Sequence, residues 1–105
     1  MVACGNENKV PLFTLVENSG IAFTNTVENN EDFNIFIYRN FYNGGGVAIG
    51  DINNDSLADV FFTSNMGRNK LFVNKGNWQF DDITDSAGFA QQGKWSTGVV
   101  MVDIN

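Results

Sequence analysis

Residues 46–53 read GVAIGDIN, and 52 positions further on residues 98–105 read GVVMVDIN, identical at five of eight places. Each copy sets an apolar Gly-Val run directly before Asp-Ile-Asn. A period near fifty residues that holds about four short apolar runs predicts one blade of a β-propeller. The competing account is a coincidental pair of strands within a single domain. The fold class is therefore read as all-β, with blades built from four-stranded antiparallel sheets. Closure takes at least four blades, so the propeller is incomplete over these 105 residues. The chain reads as the N-terminal portion of a longer protein, ending inside the second acidic stretch.

Working outward, GVAIG and ADVFFTSN flank the first acidic stretch as strands rich in β-branched and aromatic residues. NKLFVNKGNWQF predicts a hairpin of LFV and WQF around residues 74–77, with Gly76 free to take a positive φ. DITDSAG predicts one helical turn with Thr84 as its cap and Gly88 as its stop. Asn43-Gly44 signals a turn, and Gly44, Gly45 and Gly46 together suit a backbone that passes close to another. Upstream, LFTLV, IAFTNT and FNIFIY have strand composition, with ENSG and ENNED between them. The organisation expected is a flexible tether over 1–11 and strands over 12–43 that pack on or complete the propeller. A first repeat follows over 44–94, and the start of a second over 95–105.

The acidic stretch DINNDSLAD (51–59) carries Asp51, Asn53, Asp55 and Asp59 at its first, third, fifth and ninth positions. Ca²⁺ takes six to eight oxygens, and donors on alternate residues of a looping chain converge on one point. Asp51, Asn53 and Asp55 supply side-chain oxygens in this reading, the Leu57 carbonyl follows, and Asp59 closes the cage. Three carboxylates favour Ca²⁺ over Mg²⁺ or zinc. An EF-hand is excluded, because its twelfth position demands Glu and here holds Phe62 between strand-like flanks. Ser56 stands where Gly usually makes a left-handed turn, which weakens binding. The alternative is an Asx-rich hairpin loop with no ion.

Composition narrows the function classes. A net charge of −6, with six scattered basic residues, argues against nucleic acid as a partner. The chain has no histidine, which removes a Ser-His-Asp triad, His-bound zinc and imidazole acid–base chemistry from this stretch. No run is long and apolar enough for a transmembrane segment. MVACGNENK resembles the end of a bacterial lipoprotein signal with Cys4 as the lipid-bearing residue; a frayed terminus with an incidental thiol is the alternative. Asn54-Asp55-Ser56 fits a glycosylation sequon by chance overlap with the cage. Asp81, Asp82 and Asp85 read as solvated turn residues before paired catalytic carboxylates, and Trp78 and Trp95 as packing before ligand platforms.

FYNGGGVAIGDINNDSLADVFFTSN followed by NKLFVNKGNWQFDDIT resembles the FG-GAP/VCBS repeat. It is similar to secreted bacterial proteins that carry such repeats with an ASPIC/UnbV-type domain, relatives of the cartilage acidic proteins. The resemblance covers Leu12 to Asn105. It implies an integrin-α-like propeller whose D-x-[DN]-x-D-G-x-x-D loops hold Ca²⁺ through Asp51, Asn53, Asp55, the Leu57 carbonyl and Asp59. Asp103 and Asn105 then open a second site. It also implies an extracellular or outer-membrane-surface location. Two functions follow as expectations. One is a non-enzymatic module that recognises a protein or glycan, with Ca²⁺ as a structural staple. The other is the scaffold of a Ca²⁺-dependent polysaccharide-processing enzyme whose catalytic residues lie elsewhere. The absence of histidine and of any clustered basic pair favours the first.

Overall fold

The computed structural model describes residues 10–89 and 95–104; Cys4, Lys94 and Asn105 lie outside the described residues. Four strands form a single antiparallel sheet in chain order: β1 (Val47–Gly50), β2 (Asp59–Phe62), β3 (Lys70–Asn74) and β4 (Phe80–Asp82). This is the all-β, four-stranded meander expected of one blade, and no helix occurs among the described residues. Val47 pairs with Phe62, Val60 with Phe72 and Phe72 with Asp82. Paired residues share a face, so Val47, Ile49, Val60, Phe62, Lys70, Phe72 and Asp82 lie on one side. Ala48, Gly50, Asp59, Phe61, Leu71 and Val73 lie on the other.

The β3–β4 hairpin closes through Lys75 N–H on the Gln79 carbonyl at 2.7 Å, with Gly76 at φ 83° as its sequence predicts. After β4, Ala87 N–H reaches the Ile83 carbonyl at 2.9 Å and Gly88 ends the turn at φ 80°. The cap differs from expectation. Asp82 caps this turn, accepting the Thr84 N–H at 3.0 Å, while the Thr84 hydroxyl accepts the Leu71 N–H at 3.0 Å. Thr84 is drawn inward because the buried Leu71 N–H lies just past the last β3–β4 pair, Phe72 with Asp82.

The strands expected over 12–43 are corrected: no strand occurs among residues 10–43. In FNIFIY, asparagine side chains outcompete a ladder for the backbone. Asn30 Oδ1 accepts the N–H groups of Asp32 and Phe33, and the Asn34 carbonyl accepts those of Ile37 and Tyr38. The resulting turns seat Phe33, Tyr38 and Phe41 against Trp95, with ring centroids 5.0–5.7 Å apart. IAFTNT instead forms a strap across the Phe62 face. Phe23 stacks on Phe62 at 4.7 Å, the Ala22 carbonyl accepts Lys70 Nζ at 3.1 Å, and the Ser19 carbonyl accepts the Phe80 N–H at 2.8 Å. Leu12, Phe13 and Leu15 stay exposed.

The second copy of the repeated octapeptide runs beside β1 in the same direction. A Cβ placed on Gly46 would stand 2.7 Å from the Thr97 carbonyl oxygen, and one on Gly50 would stand 2.8 Å from Met101 Sδ. Equivalent residues therefore advance together, which is how consecutive blades set their first strands around an axis. A Cβ on Gly45 would lie 1.8 Å from the Thr63 carbonyl oxygen. Gly45 and Gly46 are thus demanded by close approach, and Gly44 by its φ of 74°.

Candidate metal centre

The β1–β2 connection is the acidic stretch, and its shape follows from side-chain oxygens folding onto local N–H groups. Asp51 accepts the N–H of Ser56 at 2.7 Å and of Asp55 at 3.2 Å. Asn53 Oδ1 also accepts the Asp55 N–H, at 3.2 Å, and Asp55 Oδ1 accepts the Leu57 N–H at 2.8 Å. Asn53 Nδ2 donates to Asp55 Oδ2 at 2.9 Å. Two residues reverse the chain in the left-handed region, Asn54 at φ 60° and Ser56 at φ 68°. Desolvation pushes the Asp51 carboxyl up, but the N–H groups of Ser56, Asp55, Asn54 and Asn53 outweigh it and hold the carboxyl below the usual aspartate range.

Asp59 is placed differently. It is fully buried at the start of β2, where its two oxygens accept the Ile52 N–H at 2.9 Å and the Asn74 N–H at 2.8 Å. A buried carboxylate is tolerated only with such donors, and here it ties both ends of the acidic loop to β3. Asn74 adds a side-chain bond to the Ala58 carbonyl at 3.0 Å.

The structure thus brings Asp51, Asn53, Asp55 and Leu57 together on one turn and sets Asp59 behind it. Among the described residues, no three Asp, Glu, His or Cys side chains form a group arranged to hold a metal ion. The donor set is nevertheless all oxygen, which suits a hard cation. Asp103 joins Asp51 in lining one cavity of about 880 Å³ between the acidic loop and the second copy, with Gly50, Met101 and Val102. Asn105 lies outside the described residues.

The remaining candidates resolve into packing and ion pairs. Asp82 pairs with Lys70 Nζ at 2.9 Å, and Asp85 pairs with Arg68. Trp95 packs in the aromatic cluster, whereas Trp78 is exposed on the β3–β4 hairpin. Sequence reasoning missed the polar joint at Thr63, Ser64 and Asn65, all buried at the end of β2. Asn65 Nδ2 donates to the carbonyls of Gly44 at 3.0 Å and Ser96 at 3.1 Å, and its Oδ1 accepts Asn25 Nδ2 at 2.7 Å. One amide therefore ties the strap, the approach to β1 and the second copy. The available signal was a polar triplet placed directly after the buried run VFF.

A family model described as an FG-GAP-like repeat matches residues 51–105, from the acidic loop through the second Asp-Ile-Asn. The chain belongs to the FG-GAP-like repeat family. The FG-GAP-like chain is 40% identical over 67 residues to cartilage acidic protein 1 of Xenopus tropicalis, covering 63% of this chain and 10% of that protein. Cartilage acidic protein 1 of Mus musculus is 39% identical over 62 residues, covering 59% of this chain and 10% of that protein. The Homo sapiens protein is 38% identical over 65 residues, covering 61% and 10%. The chain thus spans 10% of the length of these curated relatives. No solved structure matches it.

Proposed function

We propose that this FG-GAP-like repeat is a non-catalytic, Ca²⁺-binding recognition module of an extracellular or surface-attached protein, with a protein or a glycan as its partner. The observation that carries the reading is the acidic loop itself. Asp51, Asn53 and Asp55 fold inward on one turn, and every donor is an oxygen. Asp51, Asn53, Asp55, the Leu57 carbonyl and Asp59 would hold the ion, which would supply positive charge to the carboxylates of the loop. The chain's own part is to present those oxygens from a loop pinned by Asp59 to Ile52 and Asn74. The ion then acts as a staple between β1 and β2, and the surface it stiffens is what a partner meets. That the relatives are named for cartilage, an extracellular matrix, supports the placement outside the cell.

The test is thermal unfolding in millimolar Ca²⁺ and in chelator, the range in which extracellular Ca²⁺ modules work at about 10⁻⁴–10⁻³ M. Ca²⁺ is expected to raise the midpoint, and Asp55→Ala is expected to remove most of that rise. Identical melts with Ca²⁺ and with chelator would overturn the proposal.

A further inference from the structure

Residues 40–46 carry the chain from the aromatic cluster into β1, and both ends of this stretch are fixed. On the upstream side, the Asn43 N–H donates to the Asn40 carbonyl at 3.1 Å, beside the fully buried Phe41. On the downstream side, the Gly44 carbonyl accepts Asn65 Nδ2 at 3.0 Å, and the Gly46 N–H donates to Thr63 Oγ1 at 2.6 Å. Gly45 has no room even for a Cβ against the Thr63 carbonyl. Between these anchors Asn43 is exposed. Among the described residues, neither its side-chain amide nor the Gly44 N–H makes a hydrogen bond. Gly44 holds φ 74°, and nothing lies within 4 Å of a Cβ placed on it.

We propose that Asn43 is a site of spontaneous deamidation whose isoaspartyl product loosens the joint at Asn65. The Gly44 nitrogen gives its proton to solvent base and attacks Asn43 Cγ. The N–Cγ bond forms, the Cγ–Nδ2 bond breaks, and Nδ2 leaves as ammonia with a proton returned from solvent. Water then opens the succinimide ring at either carbonyl, with no change of oxidation state. Opening at Cγ gives aspartate. Opening at the former backbone carbonyl gives isoaspartate, whose main chain runs through Cβ and Cγ and is one atom longer. Two observations favour Asn43 over other asparagines. The N–H that follows it is unengaged, whereas the Asp55 N–H after Asn54 is held by Asp51 and Asn53, and the Lys75 N–H after Asn74 by the Gln79 carbonyl. The attacking nitrogen also belongs to glycine, which puts no side chain in the path of Cγ. The consequence follows from the anchors. An added backbone atom has no slack to enter, so it displaces Gly44 itself, and one buried hydrogen of Asn65 Nδ2 loses its acceptor.

The experiment ages the full chain in mildly alkaline buffer and follows it by peptide mapping and by isoaspartyl-specific methyl transfer. Conversion at Asn43 is expected to run about tenfold or more faster than at Asn54 or Asn74. The aged chain is expected to melt about 4 °C or more below the fresh chain. Asn43→Gln, whose longer side chain closes the ring poorly, is expected to keep its midpoint through the same ageing. Asn43→Asp carries the charge without the added backbone atom, and is expected to melt within about 1 °C of the fresh parent. Equal rates at the three asparagines, an unchanged midpoint in chain converted at Asn43, or the full drop in unaged Asn43→Asp would each overturn the proposal.

Discussion

Ser56 holds φ 68° without being glycine, and that single angle explains why its position in such loops favours one residue. A left-handed conformation costs an L-residue about 1–2 kcal/mol, and glycine returns about 0.5–1 kcal/mol of that through its looser unfolded state. Ser56→Gly is therefore expected to stabilise the fold by about 0.5–1 kcal/mol, read as a higher urea midpoint with unchanged slope. Asp82 carries a second prediction at this scale. The Thr84 hydroxyl, together with the Lys70 ammonium, holds its carboxyl down to about 2 against desolvation that pushes it up. A depressed carboxylate contributes stability that is complete above the unfolded value of 3.8 and is lost as pH falls toward about 2. Asp82→Asn is expected to lower stability at neutral pH and to flatten the decline in that acidic window, as chemical denaturation at stepped pH would show. The need for a left-handed Ser56 was legible from spacing alone. The displacement of Asp59 from its neighbours was not, because it depends on an N–H of Asn74 that only strand pairing brings near.

At the scale of elements, the first three strands were legible because each joins β-branched or aromatic residues to a turn signal of known geometry. The fourth was expected at WQF but lies at Phe80–Asp82, because Asn77 and Trp78 take left-handed φ of 51° and 60° and lengthen the turn. Residues 12–43 were not legible, although their composition is equally strand-like. In FNIFIY the backbone is captured locally. Asn30 and Asn34 offer side-chain and carbonyl acceptors within four residues, and a local bond that needs no distant partner forms in preference to a ladder. The glycine run also acts at this scale. Gly45→Ala would drive a methyl into the Thr63 carbonyl oxygen, now 1.8 Å from the Cβ position, and both groups are backbone. The strand approach must shift, at an expected cost of about 1–3 kcal/mol, measurable as a lower urea midpoint. A substitution with no effect would mean that β1 and β2 part more easily than their pairing implies.

For the whole molecule, the radius of gyration is 18.7 Å, against about 13 Å for a compact domain of similar length. Apolar side chains also face outward on the first and second copies of the octapeptide, Val47 and Ile49 on one and Val100, Val102 and Ile104 on the other. The repeated octapeptide made this arrangement readable in outline, since a period of 52 residues already implied successive equivalent strands. Which faces meet was beyond the sequence, because alternation along a strand defines two sides without saying which one turns toward a neighbour.

The strap also bears on how this molecule avoids misassembly. β4 is the last strand of the sheet, and its outward N–H at Phe80 is already taken by Ser19. Gly20 lies so close that a Cβ there would be 2.2 Å from the Phe80 carbonyl oxygen. An unprotected outer strand is a template for amyloid-like growth. Here the chain shields its own hydrogen-bonding rim with a segment from far upstream, and Asp81 and Asp82 add charge along it. Pairing of this outer strand with a foreign strand is thereby blocked at Phe80 by the chain itself.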